Sequence, residues 1–229
     1  MTQPQPSELE LQVPLHKYRK LRLYFAYPFA TAVAFLARST NPGFLMGIPV
    51  IMLGEAIRIW SHGYIHKAKE LAMDGPYAHV RNPLYVGNFL IGFGFCLIIW
   101  NPIMIALYVI GFMGVYWITI KAEEQRLALK FRGQFQDYMK HVPRFIPQFV
   151  PYQKRPRAKF EFQRVMRHGE QITIFAVITL LLILYLRQEI FQEGKPIASP
   201  DLAIFNVLLL VSSLLLIGTF IQRWVKKNV

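Results

Sequence analysis

The sequence predicts an all-α fold: a polytopic transmembrane helical bundle of about six spans. Three observations carry this expectation. Of the 229 residues 54% are hydrophobic, and they gather in runs that approach the roughly 20 residues a helix needs to cross hydrocarbon. Lys and Arg number 26 against 13 Asp and Glu, and they sit almost wholly between alternate runs. Two of the runs are separated by little more than Asn101-Pro102, so they should form a tight helical hairpin.

Six spans are expected, at about 21–37, 44–60, 84–100, 102–120, 172–186 and 202–221. The first, second and fifth are short. Basic residues set the orientation, because Lys and Arg collect in cytoplasmic segments. Lys17, Arg19, Lys20 and Arg22 precede span one, Lys67, Lys69 and Arg81 lie between spans two and three, and Arg223, Lys226 and Lys227 follow span six. The segment between spans four and five holds many more, from Lys121 to Arg167. The other side has Arg38, Arg187 and Lys195. With six spans the crowded segments share one side, and both termini are cytoplasmic. A membrane with its basic segments on the cytoplasmic side suits this pattern. Nucleic-acid binding, the other meaning of a +13 chain, would gather the charges into one patch; here they follow topology instead.

The chain divides accordingly. Residues 1–20 are expected to be a flexible cytoplasmic tail without a signal peptide, since no basic segment and apolar run open it. Residues 21–150 hold four spans with their cytoplasmic segments. Residues 151–171 are basic and interleaved with aromatics, which fits a helix lying in the membrane interface or a solvated linker. Residues 172–229 hold two more spans and a basic tail. Asn101 should cap the fourth helix, with Pro102 in its first turn. Gly92-Phe93-Gly94 lacks the strand and helix start of a dinucleotide loop and should permit close helix packing. The single Cys96 rules out an intrachain disulfide and a cysteine metal site.

Two stretches could carry chemistry. The first, Gly75-Pro76-Tyr77-Ala78-His79-Val80-Arg81-Asn82-Pro83-Leu84-Tyr85-Val86-Gly87, leads into span three. Asn82-Pro83 reads as a helix start with Asn as cap, and the free N–H groups there suit a carboxylate. Arg81 adds a planar donor fork. The second follows span four: Lys121-Ala122-Glu123-Glu124-Gln125-Arg126, then Tyr138 and Val142-Pro143-Arg144. Adjacent carboxylates at the foot of a membrane helix need solvent or partners. They could hold an ammonium or ribose hydroxyls, or pair along the helix with Arg126 and Lys130. Glu55 and Arg58, three apart inside span two, could pair on one face or contact substrate. His62 and His66 have a metal-binding spacing, but no carboxylate motif completes a site, so no metal is expected.

In this order, around a hairpin, the two stretches resemble the isoprenylcysteine carboxyl methyltransferase and phospholipid methyltransferase superfamily, over about residues 55–147. The resemblance implies S-adenosyl-L-methionine bound at the cytoplasmic end of the bundle and a lipophilic acceptor arriving from the bilayer. Arg81, Pro83 and Tyr85 match the family's Arg-His-Pro-x-Tyr, Glu123 and Glu124 its acidic pair, and Tyr138 and Arg144 its tail. Arg81 and Glu124 are then expected to be catalytic. Tyr77, His79, Asn82, Pro83, Tyr85, Glu123, Glu124 and Tyr138 would bind the cofactor, and Glu55, Arg58 and Arg144 the substrate. Asn82 stands where the family has His, as in the bacterial branch; it can hydrogen-bond but cannot shuttle a proton near neutral pH. A carboxylate acceptor, ionised already, suits a site with no obvious base. Two alternatives stay open: an NADPH-dependent membrane reductase of the sterol-reductase type, and a non-catalytic lipid-binding protein.

Overall fold

The computed structural model describes residues 15–36, 38–65, 70–153 and 158–228. The end of the first expected span at Ala37, the tail through residue 14, and Lys67, Lys69, Lys154, Arg155 and Arg157 lie outside the described residues, as does His66. Seven helices follow in order: α1 (Leu15–Leu36), α2 (Asn41–His62), α3 (Pro83–Ile99), α4 (Pro102–His141), α5 (Phe162–His168), α6 (Glu170–Arg187) and α7 (Pro200–Asn228). A 3-10 turn, Gly75–Ala78, precedes α3, and a π-helical turn, Gln188–Gln192, extends α6. Among the described residues there is no strand.

Among the described residues four helices are long and apolar enough to cross a membrane: α2, α4, α6 with its π turn, and α7. They coincide with four of the six expected spans. α3 is apolar but only 17 residues long, about 26 Å at 1.5 Å per residue, short of a hydrocarbon core of roughly 30 Å. α1 is not among the four. α4 has 40 residues, about twice the thickness of that core if straight, so its charged second half must leave the apolar layer. It breaks at Arg132, whose φ of 42° and ψ of −123° interrupt the helix.

Glycines bring α2 and α3 into backbone contact. A Cβ on Gly54 would stand 2.8 Å from the Gly87 carbonyl oxygen, one on Gly87 2.7 Å from that of Gly54, and one on Gly94 2.7 Å from that of Gly47. Small residues allow such an approach between membrane helices, so Gly94 acts as its sequence context suggested. Gly92 instead makes room for the Tyr108 ring of α4.

Between α3 and α4 the chain turns in two residues. Trp100, at φ 51° and ψ 43°, ends α3 in the left-handed region. The Asn101 side chain then accepts from the N–H groups of Ile103 at 3.0 Å and Met104 at 3.2 Å, the cap its sequence position called for. Beyond the turn, Tyr85 and Cys96 of α3 share a buried cluster with Tyr108, Phe112, Tyr116 and Ile120 of α4. A second cluster joins Val33, Ile51, Phe95, Ile98 and Leu184 across α1, α2, α3 and α6. α7 packs on α6, with the Tyr185 and Phe205 rings 4.4 Å apart. Its outer residues Leu210, Leu214, Ile217 and Phe220 are exposed. In the 151–171 segment the described part is irregular backbone, then α5, seven residues long, and the start of α6.

Candidate functional site

The site grows from the start of α3. Pro76 opens the 3-10 turn that buries Tyr77. The chain then runs to Pro83, whose fixed φ and missing N–H suit a first helical position. Asn82 occupies the N-cap, and its carbonyl accepts from Tyr85 N at 3.0 Å and Val86 N at 3.2 Å. Its side chain does not cap, contrary to expectation. Instead Nδ2 donates to the Arg144 carbonyl at 3.1 Å and faces Glu124 Oε1 at 3.4 Å. The amide is oriented by these two acceptors, and Oδ1, the atom that would accept from a helix N–H, makes no cap bond.

The 142–152 segment returns beside this turn and locks to it. Arg81 N donates to Pro143 O at 2.9 Å, Gln148 N to His79 O at 3.0 Å, and Tyr152 N to Ala78 O at 2.9 Å. His79 Nδ1 lies 2.9 Å from Gln148 O, so that nitrogen carries the proton and is spent on the backbone. Tyr138, buried on α4, donates to Tyr77 O at 2.6 Å. Burial holds the Tyr77 hydroxyl far above the usual phenol range, so it stays neutral. These contacts tie Tyr77, His79 and Tyr138 into the frame of the loop.

Glu124 is the hub. It is 6% exposed and receives the Arg144 fork, with Nη2 to Oε2 at 2.7 Å and Nε to Oε2 at 3.0 Å. Arg81 Nε lies 3.5 Å from Oε1, an ion-pair distance, and that buried nitrogen makes no hydrogen bond. Burial lowers the Arg81 pKa while Glu124 opposes the shift. Glu124 therefore pairs with Arg144 and Arg81 across the fold, and not with a neighbour on its own helix. Arg144 also stacks over Trp117, 4.8 Å from the ring centroid, and is the more exposed of the two arginines.

Glu123, half-buried one residue earlier, reaches the Tyr85 hydroxyl. Arg22 Nη1 donates to the same hydroxyl at 2.8 Å. The Tyr85 ring meets Tyr116 edge-on at 5.1 Å, and Phe89, Phe93, Phe112 and Phe145 extend the aromatic wall. The structure thus brings Arg81, Asn82, Pro83, Tyr85, Glu123, Glu124 and Arg144 to one place. An open groove formed by His141 and residues 148–153 contains none of them.

Glu55 and Arg58 form a second cluster, and they do not pair as the sequence suggested. Arg58 sends Nε to Glu170 Oε1 and Nη2 to Oε2, both at 2.7 Å, and Nη2 also to Thr173 Oγ1 at 3.1 Å; its Nη1 donates to Asn88 Oδ1. Glu170, 1% exposed, offers a planar two-oxygen acceptor that a carboxylate one turn back on the same helix cannot present. Glu55 lies beside Glu170, and neither of its buried oxygens has a hydrogen-bond donor. His62 Nδ1 is 2.9 Å from Glu170 Oε2. No cluster of three metal-ligating side chains exists among the described residues. Sequence reasoning missed Glu170, Asn88, Tyr116 and Trp117. Arg58, a cation inside an apolar run, was the available signal that a buried carboxylate must be near.

Residues 43–134 match the model of the phospholipid methyltransferase family. The chain is similar to the nickel-cobalt-cadmium resistance protein NccN of Alcaligenes xylosoxydans xylosoxydans, 31% identical over 105 residues, 45% of this chain and 47% of that one. The cobalt-zinc-cadmium resistance protein CzcN of Cupriavidus metallidurans is 30% identical over 47% of this chain and 50% of its own. A protein-S-isoprenylcysteine O-methyltransferase of Schizosaccharomyces pombe is 34% identical over 34% and 33%. The chain spans half or less of the length of these curated relatives. No solved structure matches it. The segment of residues 43–134, which carries Arg58, Arg81, Asn82, Tyr85 and Glu124, is thus similar to the phospholipid methyltransferase family.

Proposed function

We propose that this protein is an integral membrane methyltransferase that transfers a methyl group from S-adenosyl-L-methionine to a lipophilic acceptor. One observation carries the proposal: Arg81 and Asn82 at the start of α3 meet Glu124 and Arg144 in a single buried cluster, inside or adjoining the family segment. The residues fit the cofactor's chemistry. Arg81 Nε is a buried donor without a hydrogen bond, suited to a carboxylate. Glu123 and Glu124 are acceptors suited to an ammonium or ribose hydroxyls, and Tyr85, Tyr116 and Trp117 offer aromatic faces to a sulfonium or a base.

Bound there, the cofactor would supply a methyl on a sulfonium sulfur, electrophilic without any metal. The protein's task is then to position and to exclude water. Arg81 would hold a carboxylate while Glu124 balances its charge. Tyr85, fixed by Arg22 and Glu123, would set the aromatic wall, and Arg144 would cover the site from the Trp117 side. Asn82 orients without moving a proton. His79 gives its Nδ1 proton to Gln148 O, which fixes its tautomer, and Asn82 puts no imidazole at the head of α3. That arrangement favours an acceptor already ionised, such as a carboxylate. In this reading α1 and α3 complete six crossings, with α3 and α4 a hairpin, and both termini and the site face the cytoplasm of a bacterial inner membrane.

Calorimetric titration of the detergent-purified chain tests the proposal. S-adenosylhomocysteine should bind and NADPH should not. Binding of NADPH alone would favour the reductase, and no heat or thermal stabilisation with either at millimolar concentration would remove the enzymatic reading.

A further inference from the structure

A line of polar and aromatic contacts runs from α6 to the Glu123 side of the site. Glu170 and Thr173 of α6 grip the Arg58 fork from one side. The Arg58 stem crosses α3 where Gly87 leaves space: a Cβ there would stand 2.5 Å from Arg58 Cγ. Beyond that gap Arg58 Nη1 donates to Asn88 Oδ1, and the Asn88 side chain lies beside the Tyr116 hydroxyl; Tyr108, which donates to Asn88 O at 3.2 Å, joins the same ring stack through Phe112, 3.8 Å from Tyr116. Tyr116 meets Tyr85 edge-on, and Tyr85 holds Glu123. All of the Arg58 nitrogens are used by protein groups. Glu170 and Thr173 lie outside the family segment, which ends at residue 134.

We infer that Arg58, clamped by Glu170, is a positioning residue for the methyl-transfer site: it fixes Asn88 and through it the Tyr116–Tyr85 wall, so that α6 is a working part of the site. The inference rests on the methyltransferase reading and reassigns Arg58 from substrate contact to support. Physically, an isolated cation here would be costly. Paired with Glu170 it becomes a rigid fork whose remaining nitrogen points Asn88 in one direction. Asn88 spends its oxygen on Arg58, which leaves its amide facing the Tyr116 side.

The full chain, purified in detergent, is the test material. In Asn88→Leu the Arg58–Glu170 pair stays intact while the link is cut. Affinity for S-adenosylhomocysteine should fall about tenfold, the effect of one polar contact of ordinary strength, with little change in thermal midpoint. The exchange Arg58→Glu with Glu170→Arg keeps an ion pair but removes the donor facing Asn88. It should recover most of the midpoint lost in Arg58→Glu alone, while affinity stays about tenfold weak. Recovery of both would make Arg58 merely structural and overturn the inference. A readout without ligand comes from 3-fluorotyrosine incorporation, with the Tyr116 resonance assigned by its loss in Tyr116→Phe. That resonance should shift in Asn88→Leu and in the exchange. An unmoved resonance sinks the linkage even when wild-type protein binds the ligand. No binding by wild-type protein together with a shifted resonance sinks the methyltransferase reading instead.

Discussion

Two buried carboxylates behave oppositely because of what faces them. Glu170 is met by the Nε–Nη2 edge of Arg58 and by His62, so removing its charge strands a buried guanidinium. Breaking such a pair costs about 3 kcal/mol or more, and Glu170→Gln should lower the thermal midpoint markedly. Glu55 has no donor on either oxygen and a carboxylate beside it. Glu55→Gln should be neutral or stabilising, within about 1 kcal/mol, since it relieves an uncompensated polar burial. A thermal shift assay on the two variants checks the contrast, and a large loss in Glu55→Gln would mean that this carboxylate has a partner. At Glu124 the expectation is like that at Glu170. Glu124→Ala leaves Arg81 and Arg144 facing each other without the anion between them. It should destabilise the loop and abolish S-adenosylhomocysteine binding, whereas Glu123→Gln, at a half-buried position, should weaken binding and spare the fold.

At the scale of the helix, what decides packing is where a side chain would have to go. Gly87 on α3 has Arg58 Cγ 2.5 Å and Gly54 O 2.7 Å from its absent Cβ. Gly114 on α4 has nothing within 4 Å. Gly87→Ala should therefore push α2 from α3 and cost about 1–3 kcal/mol, while Gly114→Ala should stabilise by up to about 1 kcal/mol through helix propensity. Unfolding midpoints that move together in the two variants would contradict the close approach. This contrast also shows why the elements were readable in the sequence and their partners were not. Apolar runs, the Asn101-Pro102 start and the glycines of α3 are local signals, and each found its helix. The pairing of Arg58 depends on Glu170, 112 residues away, and that of Glu124 on a return of the chain to Arg144. Spacing along one helix favoured Glu55 for the former and Arg126 or Lys130 for the latter. Asn82 shows the same limit: its dipeptide marked the helix start, but its amide is oriented by acceptors that only the tertiary fold supplies.

For the molecule as a whole, the exposed surface of α7 is the strongest physical statement of its surroundings. Leu210, Leu214, Ile217 and Phe220 are each more than half exposed, and no other helix among the described residues covers them. In water such a stripe would be an unstable, aggregating face; against acyl chains it carries no such cost. α6 then has to cross with α7 as an antiparallel partner, and the two ends of α6 must lie on opposite sides. Its first residue, Glu170, sits in the cluster that also holds the end of α2, next to the start of α3 and the basic foot of α4. Its far end, at Gln188–Gln192, leads into a segment whose cation Lys195 pairs with Glu189 at 2.5 Å. The positive-inside rule counts Lys and Arg near the span ends; they crowd at the α4 foot and residues 188–199 hold Lys195 alone, so the proposed topology has the α4 foot facing the cytoplasm and the 188–199 turn facing out. Single-cysteine variants in a Cys96→Ala background test this in intact cells with a membrane-impermeant maleimide. Glu193→Cys should label without permeabilisation and Lys140→Cys only after it. Labelling of both from outside would mean that α6 does not cross, and the reverse pattern would place the cofactor site on the wrong side of the membrane for a cytoplasmic methyl donor.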